Sequence, residues 1–136
     1  MTDRNRPTDS ALLRRYGPVA LVTGASDGIG RAFARHLAAA GFDLILLARR
    51  EAALAALATD LGADFGVDAR VIALDLAQPG AVTRLLDETA GRPVGLVVAA
   101  AGFGSIGPFL ERDLGDELAM IDVNCRSVVE LAHGFG

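Results

Sequence analysis

The feature that most constrains this chain is a glycine-bearing segment, Thr23-Gly24-Ala25-Ser26-Asp27-Gly28-Ile29-Gly30, that joins an apolar run to an amphipathic one without a gap. The run before it, Val19-Ala20-Leu21-Val22, is short and continuous, as in a strand covered on both faces. After it, Ile29, Phe33, Leu37 and Ala40 recur at helical spacing, and Gly41 can stop the turn. A strand that passes straight into a helix through glycines aims several backbone N–H groups and the positive helix end at one point. Glycines there also let the backbone approach a pyrophosphate and let the helix lie close on the strand. Gly24, Ser26, Asp27, Gly28, Ile29 and Gly30 are therefore the first candidate binding residues. Asp27 is expected to cap the helix start with its carboxylate pointing away, since beside a phosphate it would repel.

The same unit repeats along the chain. Further apolar runs begin at Leu44 (LILL), Val71 (VIAL) and Val94 (VGLVVA). Between them Leu54, Leu57 and Leu61 keep helical spacing before Gly62, and Val82, Leu85, Leu86 and Thr89 do so before Gly91. The order β-α-β-α-β-α-β requires parallel strands with right-handed crossovers. The expected fold is a doubly wound, Rossmann-type α/β sheet in three layers. Leu118, Ile121, Cys125, Val128 and Ala132 mark one face of a further helix from about Leu114. With no strand after it, the fourth strand would stay an open edge, and the architecture reads as truncated. Residues 1–16, rich in Arg, Asp and Thr, read as a mobile lead-in to one incomplete dinucleotide-binding domain over 17–136.

Composition narrows the chemistry. The chain has 136 residues, enough for one domain with a real core, and 51% of them are apolar against 22% charged, which excludes general disorder. The 13 basic residues are all Arg, so chemistry that needs a lysine amine is excluded, Schiff bases and the Walker-type loop included. Seventeen acidic residues leave a net charge of −4, which argues against a general nucleic-acid or polybasic membrane binder. Cys125 is the single cysteine, and His36 and His133 are too few and too far apart for a metal site. No apolar run is long enough to span a bilayer and the first residues do not form a secretory signal, so the cytoplasm is the expected compartment.

The spacing Gly24-x-x-x-Gly28-x-Gly30 is not the commoner G-x-G-x-x-G. It resembles the T-G-x-x-x-G-I-G signature of the short-chain dehydrogenase/reductase family. Asp75, in Ala73-Leu74-Asp75-Leu76, stands where that family has an Asp after the third strand that contacts the adenine. Ala99-Ala100-Ala101-Gly102 stands where it usually has N-N-A-G, and Asn124 matches the helix asparagine of its catalytic set. The resemblance covers about residues 17–136. It implies an oxidoreductase that moves hydride between a nicotinamide cofactor and a carbonyl or alcohol carbon, with Asp75, Leu76, Ala101 and Gly102 added to the cofactor site. It also implies a homo-oligomer at full length, paired through the last helix and the next, with Val128, Val129 and Leu131 uncovered in the chain as it stands.

Two departures matter. The family's catalytic Ser, Tyr and Lys would lie beyond Gly136; there is no Lys here, and the one Tyr, Tyr16, precedes the first strand. Ala99 and Ala100 cannot make the side-chain hydrogen bonds that asparagines make there, which puts the stiffness of the site in question. Asn124 is expected to be at least half buried, either as the anchor of a water relay or as a polar residue satisfying backbone near the fourth strand. The segment Phe103–Phe109 either rims the substrate side of the pocket or is a plain surface loop.

The end of the second strand reads on the cofactor. A free ribose 2′-hydroxyl is usually held by an acid about 20 residues past the glycines, whereas a 2′-phosphate calls for a cation. Here the strand ends Leu47-Ala48-Arg49-Arg50, and an arginine fork suits phosphate oxygens. NADP(H) is expected over NAD(H), with Arg49 and Arg50 as contacts. The alternatives are that both arginines are solvated residues opening the next helix, or that Glu51 swings back to the ribose. Three functions are therefore in play: the NADP(H)-binding half of a short-chain oxidoreductase, a non-catalytic nucleotide- or partner-binding module, and an S-adenosylmethionine methyltransferase. Ala48-Arg49-Arg50 disfavours the last, which tends to place an acid there.

Overall fold

Val19–Thr23 and Asp43–Ala48 are almost wholly buried and form the two central strands, β1 and β2. The computed structural model describes residues 10–136; the part of the expected lead-in before Ser10 lies outside the described residues. In chain order the elements are α1 (Ala11–Tyr16), β1, α2 (Gly28–Ala39), β2, α3 (Glu51–Phe65), β3 (Ala69–Ala73), α4 (Ala81–Thr89) and β4 (Val94–Ala99). A 3-10 turn at Phe109–Glu111 leads into α5 (Leu114–Ile121), a π turn (Asp122–Arg126) and α6 (Ser127–Phe135). The strands are all parallel in the order β3-β2-β1-β4, with Leu21 opposite Ile45 on one side and Val97 on the other. This is the doubly wound, Rossmann-type fold the sequence calls for.

Strand parity divides the core into two. Ala20, Val22, Leu44 and Leu46 pack with Ala34, Leu37 and Ala38 of α2 and with Leu54, Leu57 and Leu61 of α3. Val19, Leu21, Ile45, Leu47 and Ile72 pack on the other face with Val82 and Leu85 of α4, and with Val123 and Leu131 of the last helix.

Four local expectations change. In α2 the buried residues are Gly30, Ala34, Leu37 and Ala38, while Ile29 and Phe33 are 72% and 47% exposed. At its start the helix lies so close to the strand that Gly30 and Ala34 take the contact side and Ile29 and Phe33 are turned outward, while Leu37 keeps its expected place in the core. In the last helix the stripe Leu118, Ile121, Cys125, Val128 and Ala132 also faces outward, and Val123, Ser127 and Leu131 face the sheet. That helix carries two apolar stripes, and the π turn sets the phase that decides between them. Leu131 is accordingly buried rather than uncovered, whereas Val128 and Val129 are exposed. Gly62 does not stop α3: the helix continues to Phe65, and Gly66, in the left-handed conformation at φ 67°, ends it.

Part of the expected lead-in lies among the described residues. Residues 11–16 form α1, whose first turn is capped by the Ser10 hydroxyl accepting from the Leu13 N–H at 3.0 Å. The same hydroxyl donates to the Ala40 carbonyl at 3.1 Å, and Leu13 packs on the α2–α3 core.

Candidate functional site

The carboxyl ends of the four strands open onto one cavity of about 810 Å³, at the point where the chain reverses direction between β1 and β4. All twelve residues that the sequence nominates for a cofactor line it: the loop residues Gly24, Ser26, Asp27, Gly28, Ile29 and Gly30, then Arg49, Arg50, Asp75, Leu76, Ala101 and Gly102. Asn124 is the nominated residue that does not line it. The volume is within the range of a ligand pocket for a molecule larger than a simple metabolite.

Glycine is required at the loop for two different reasons. A Cβ on Gly24 would stand 2.8 Å from both the N and Cα of Ala101, so the loop passes directly against the end of β4. There the Ala101 N–H donates to the Thr23 hydroxyl at 3.2 Å, tying the two strand ends together. A Cβ on Gly30 would strike the Gly24 carbonyl, its carbon at 2.6 Å and its oxygen nearer still. Gly28 is different: at φ 50° a Cβ would meet no atom within 4 Å, because that position faces open space in the cavity. The opening left by Gly28 lies at the start of α2, where the first N–H groups have no acceptor within the helix. An anion placed there would meet the positive end of the helix.

Asp27 occupies the N-cap position of α2, but its carboxylate makes no capping hydrogen bond. The position expected from the sequence is right and the expected bond is absent. At φ −156°, ψ 161° the residue is extended, and its side chain stays exposed.

The charge of the wall is uneven. Among the described residues Arg49 and Arg50 are the cations that line the cavity, both exposed where β2 ends, next to the buried Ala48. Asp75, after β3, is half-buried, and its Oδ1 accepts from the Ala77 N–H at 2.9 Å. One carboxylate oxygen is thus committed to shaping its own turn, and Leu76 beside it is buried in the α4-side core.

Past β4 the backbone is gripped rather than pleated. Asn124 accepts from the Phe103 N–H at 3.0 Å and donates from Nδ2 to the Phe103 carbonyl at 2.8 Å. The π turn presents this amide, which is exposed rather than half buried. Of the two expectations for Asn124, the geometry is that of a side chain satisfying backbone just beyond the fourth strand. Phe103 lines the cavity, so the segment Phe103–Phe109 meets it at its first residue.

A match to the family model "short chain dehydrogenase" extends over residues 18–135. This chain belongs to the short-chain dehydrogenase family. The 7beta-hydroxysteroid dehydrogenase of Collinsella aerofaciens is 32% identical over 124 residues, 91% of this chain and 47% of that protein. A structure described as giving insight into 7beta-hydroxysteroid dehydrogenase stereoselectivity superposes with a TM-score of 0.87 at 31% identity, over 91% of this chain and 49% of that one. The short-chain dehydrogenase from Sphingobium yanoikuyae, in complex with NADPH, gives a TM-score of 0.82 at 30% identity, over 88% of this chain and 47% of that one. The chain spans about half the length of the curated relatives it matches.

Membership gives the geometry its chemical class: oxidoreductases with nicotinamide cofactors, on a Rossmann-type sheet. In this member of the family Tyr16 ends α1 just before β1, at the opposite end of the strand from the cavity. Among the described residues no helix is long and apolar enough to cross a membrane, and no cluster of His, Cys, Asp and Glu could hold a metal ion.

Sequence reasoning missed one wall. Asp116, Ala119 and Val123, from α5 and the π turn, also line the cavity. It missed Glu117 as well, the one carboxylate among the described residues that is buried. Glu117 Oε1 accepts from Arg112 Nε and, at 3.0 Å, from the Ser105 hydroxyl. These bonds, Arg112 first, hold its carboxyl below the ordinary range. Nothing in local sequence spacing signals this cluster, because it forms only when the loop after β4 folds back over α5.

Proposed function

We propose that this chain is the NADP(H)-binding half of an oxidoreductase that transfers hydride between the nicotinamide and a carbonyl or alcohol carbon. The observation that carries the cofactor preference is the pair of exposed cations, Arg49 and Arg50, at the cavity mouth where β2 ends, with Ala48 in place of an acid. The NADPH complex of the Sphingobium relative is consistent with it. In this reading the opening at Gly28 and the first turn of α2 hold the pyrophosphate, and Arg49 forks onto the 2′-phosphate. Asp75 and Leu76 border the adenine. Ala101 and Gly102 form the floor for the nicotinamide half, because the pyrophosphate sits between the β2 and β4 ends. When bound, the cofactor supplies or accepts the hydride.

The chain's own residues bind and orient. Thr23 and Gly24 fix β1 against Ala101, and Asn124 fixes Phe103, so the floor is held from two sides. We assign Asn124 to positioning through these bonds rather than to proton transfer. The comparisons lend no support to a non-catalytic module. We further propose a cytoplasmic setting, suited to the lone free thiol of Cys125, and assembly as a homo-oligomer through the outward stripe of Leu118, Ile121, Val128 and Val129.

Calorimetric titration with NADPH and NADH tests the cofactor reading. The wild type is expected to favour NADPH, and Arg49→Asp to weaken it about tenfold or more, the worth of one charged hydrogen bond, while NADH gains. Equal affinity of the wild type for both, or no change on Arg49→Asp, would refute the assignment.

A further inference from the structure

The segment Gly102–Gly107 follows β4 without regular structure and contains Gly104 between its two terminal glycines, so its backbone has many conformations open to it. It is nevertheless fastened at three residues, Phe103, Ser105 and Ile106, each to the stretch from Arg112 to Asn124. Phe103 is held through both its N–H and its carbonyl by Asn124. The Ser105 hydroxyl donates to Glu117 Oε1 at 3.0 Å. The Ile106 carbonyl accepts from Arg112 Nη1, and Arg112 Nε donates to the same Glu117 oxygen that receives Ser105. The two side chains are 24% and 11% exposed for Arg112 and Glu117.

A buried carboxylate is tolerated only where it is paired and hydrogen-bonded. This one is placed where it does more than close an ion pair. It sits on the first turn of α5, the helix that contributes Asp116 and Ala119 to the cavity wall, and it pins the loop whose first residues, Gly102 and Phe103, continue that wall. Asp113 caps this helix by accepting from the Asp116 N–H at 3.1 Å, so the helix end that carries Glu117 is itself fixed.

We propose that Glu117, acting with Arg112 and Ser105, is a positioning residue that sets the conformation of the loop after β4 and so the wall on the nicotinamide side of the cavity. The proposal rests on the reading that the cavity takes a dinucleotide with its adenosine half near Arg49. Glu117 touches neither the cavity nor a ligand; it acts through Ser105 and Arg112. Removing its charge leaves the adenosine end untouched, since Arg49, Arg50 and Asp75 follow other strands. A loop ordered in advance spares the ligand the entropy of ordering it, so the loss falls on ligands that reach the β4 side.

The test compares two probes on the full chain by calorimetry: NADPH, which spans the cavity, and adenosine 2′,5′-bisphosphate, which holds only the adenosine half. For Glu117→Gln the NADPH dissociation constant is expected to rise about fivefold, with the bisphosphate unchanged. Ser105→Ala, a half-buried loop hydroxyl whose loss leaves the ion pair intact, gives the same split at smaller size and serves if Glu117→Gln does not fold. Amide hydrogen exchange should quicken at residues 103–107 in either variant and stay as in the wild type at residues 24–30. Equal weakening of both probes, no weakening of NADPH, or unchanged exchange at 103–107 would overturn the positioning role. A wild type that binds neither probe would instead remove the dinucleotide reading, and the proposal with it.

Discussion

Replacing Gly30 by alanine would drive a methyl group into the Gly24 carbonyl, with the carbonyl carbon only 2.6 Å from the new Cβ and the Thr23 oxygen at 3.0 Å. All of these neighbours are backbone, so none can rotate away. Either α2 lifts off β1 or the loop deforms, and overpacking of this kind costs about 1–3 kcal/mol. For a domain of this size that is a fall in Tm of about 3–10 °C. Gly28→Ala is the matched control, since its Cβ would meet nothing within 4 Å. Its cost to folding is about 1–2 kcal/mol, from forcing a side chain into left-handed backbone. It also stands a methyl group in the opening assigned to the pyrophosphate. Far-UV circular dichroism melts and NADPH calorimetry on both variants separate the two effects. Gly30→Ala should be the less stable, and Gly28→Ala should show the greater loss of affinity for the stability it loses. A Gly30→Ala protein as stable as the wild type, or a folded Gly28→Ala protein with wild-type affinity, would refute the close-approach argument.

Other outcomes follow from the same geometry. Because the Asp27 carboxylate makes no capping bond, Asp27→Ala should change stability by less than about 0.5 kcal/mol in urea unfolding, and removing its charge from the cavity should tighten NADPH. Leu131→Ala, in the core at 2% exposure, should cost about 2–5 kcal/mol in the same assay, whereas Leu118→Ala, half exposed, should cost far less. Glu117 has a folded pKa below its ordinary 4.5, so its folded form binds fewer protons than its unfolded form, and the stability it contributes rises with pH. That contribution is complete above the unfolded value and is lost as pH falls through the lower, folded one. Melts of wild type and Glu117→Gln should therefore converge on acidification below the ordinary value, and a constant gap across that range would contradict the assignment.

The sheet was legible because β1 and β2 are buried on both faces, and a strand in that position must be an unbroken apolar run whatever its neighbours are. The loop was legible because its glycines answer to backbone collisions, which leave no other residue at Gly24 or Gly30. The cation pair at the end of β2 was legible in position, since strand ends follow from strand registers. Helix faces were not. The first turns of α2 lie almost on the strand, where Gly30 and Ala34 take the inner side, and Leu37 and Ala38 are buried a turn later. The hydrophobic periodicity instead followed Ile29 and Phe33, because a wheel weighs side chains by size and the contact here selects against size.

The last helix breaks the same expectation for a different reason, and the difference bears on assembly. Its inner side is not made of small residues: Val123 and Leu131 bury well, and Ser127 satisfies itself by donating to the Val123 carbonyl at 2.6 Å. The outward stripe of Leu118, Ile121 and Val128 is therefore surplus to the core rather than excluded from it by crowding. In α2, outward Ile29 borders the cavity, where a ligand can cover it. Leu118, Ile121 and Val128 do not line that cavity, and an exposed apolar stripe of that length is characteristic of a protein interface. If that is its use, Leu118→Glu with Ile121→Glu should lower the oligomeric state in sedimentation experiments without lowering NADPH affinity, because the cavity wall is made by Asp116, Ala119 and Val123 on the other side of the same helix. An unchanged oligomeric state in the folded variant would remove the structural basis of the homo-oligomer reading, and loss of affinity in a folded monomer would mean that the stripe also supports the site.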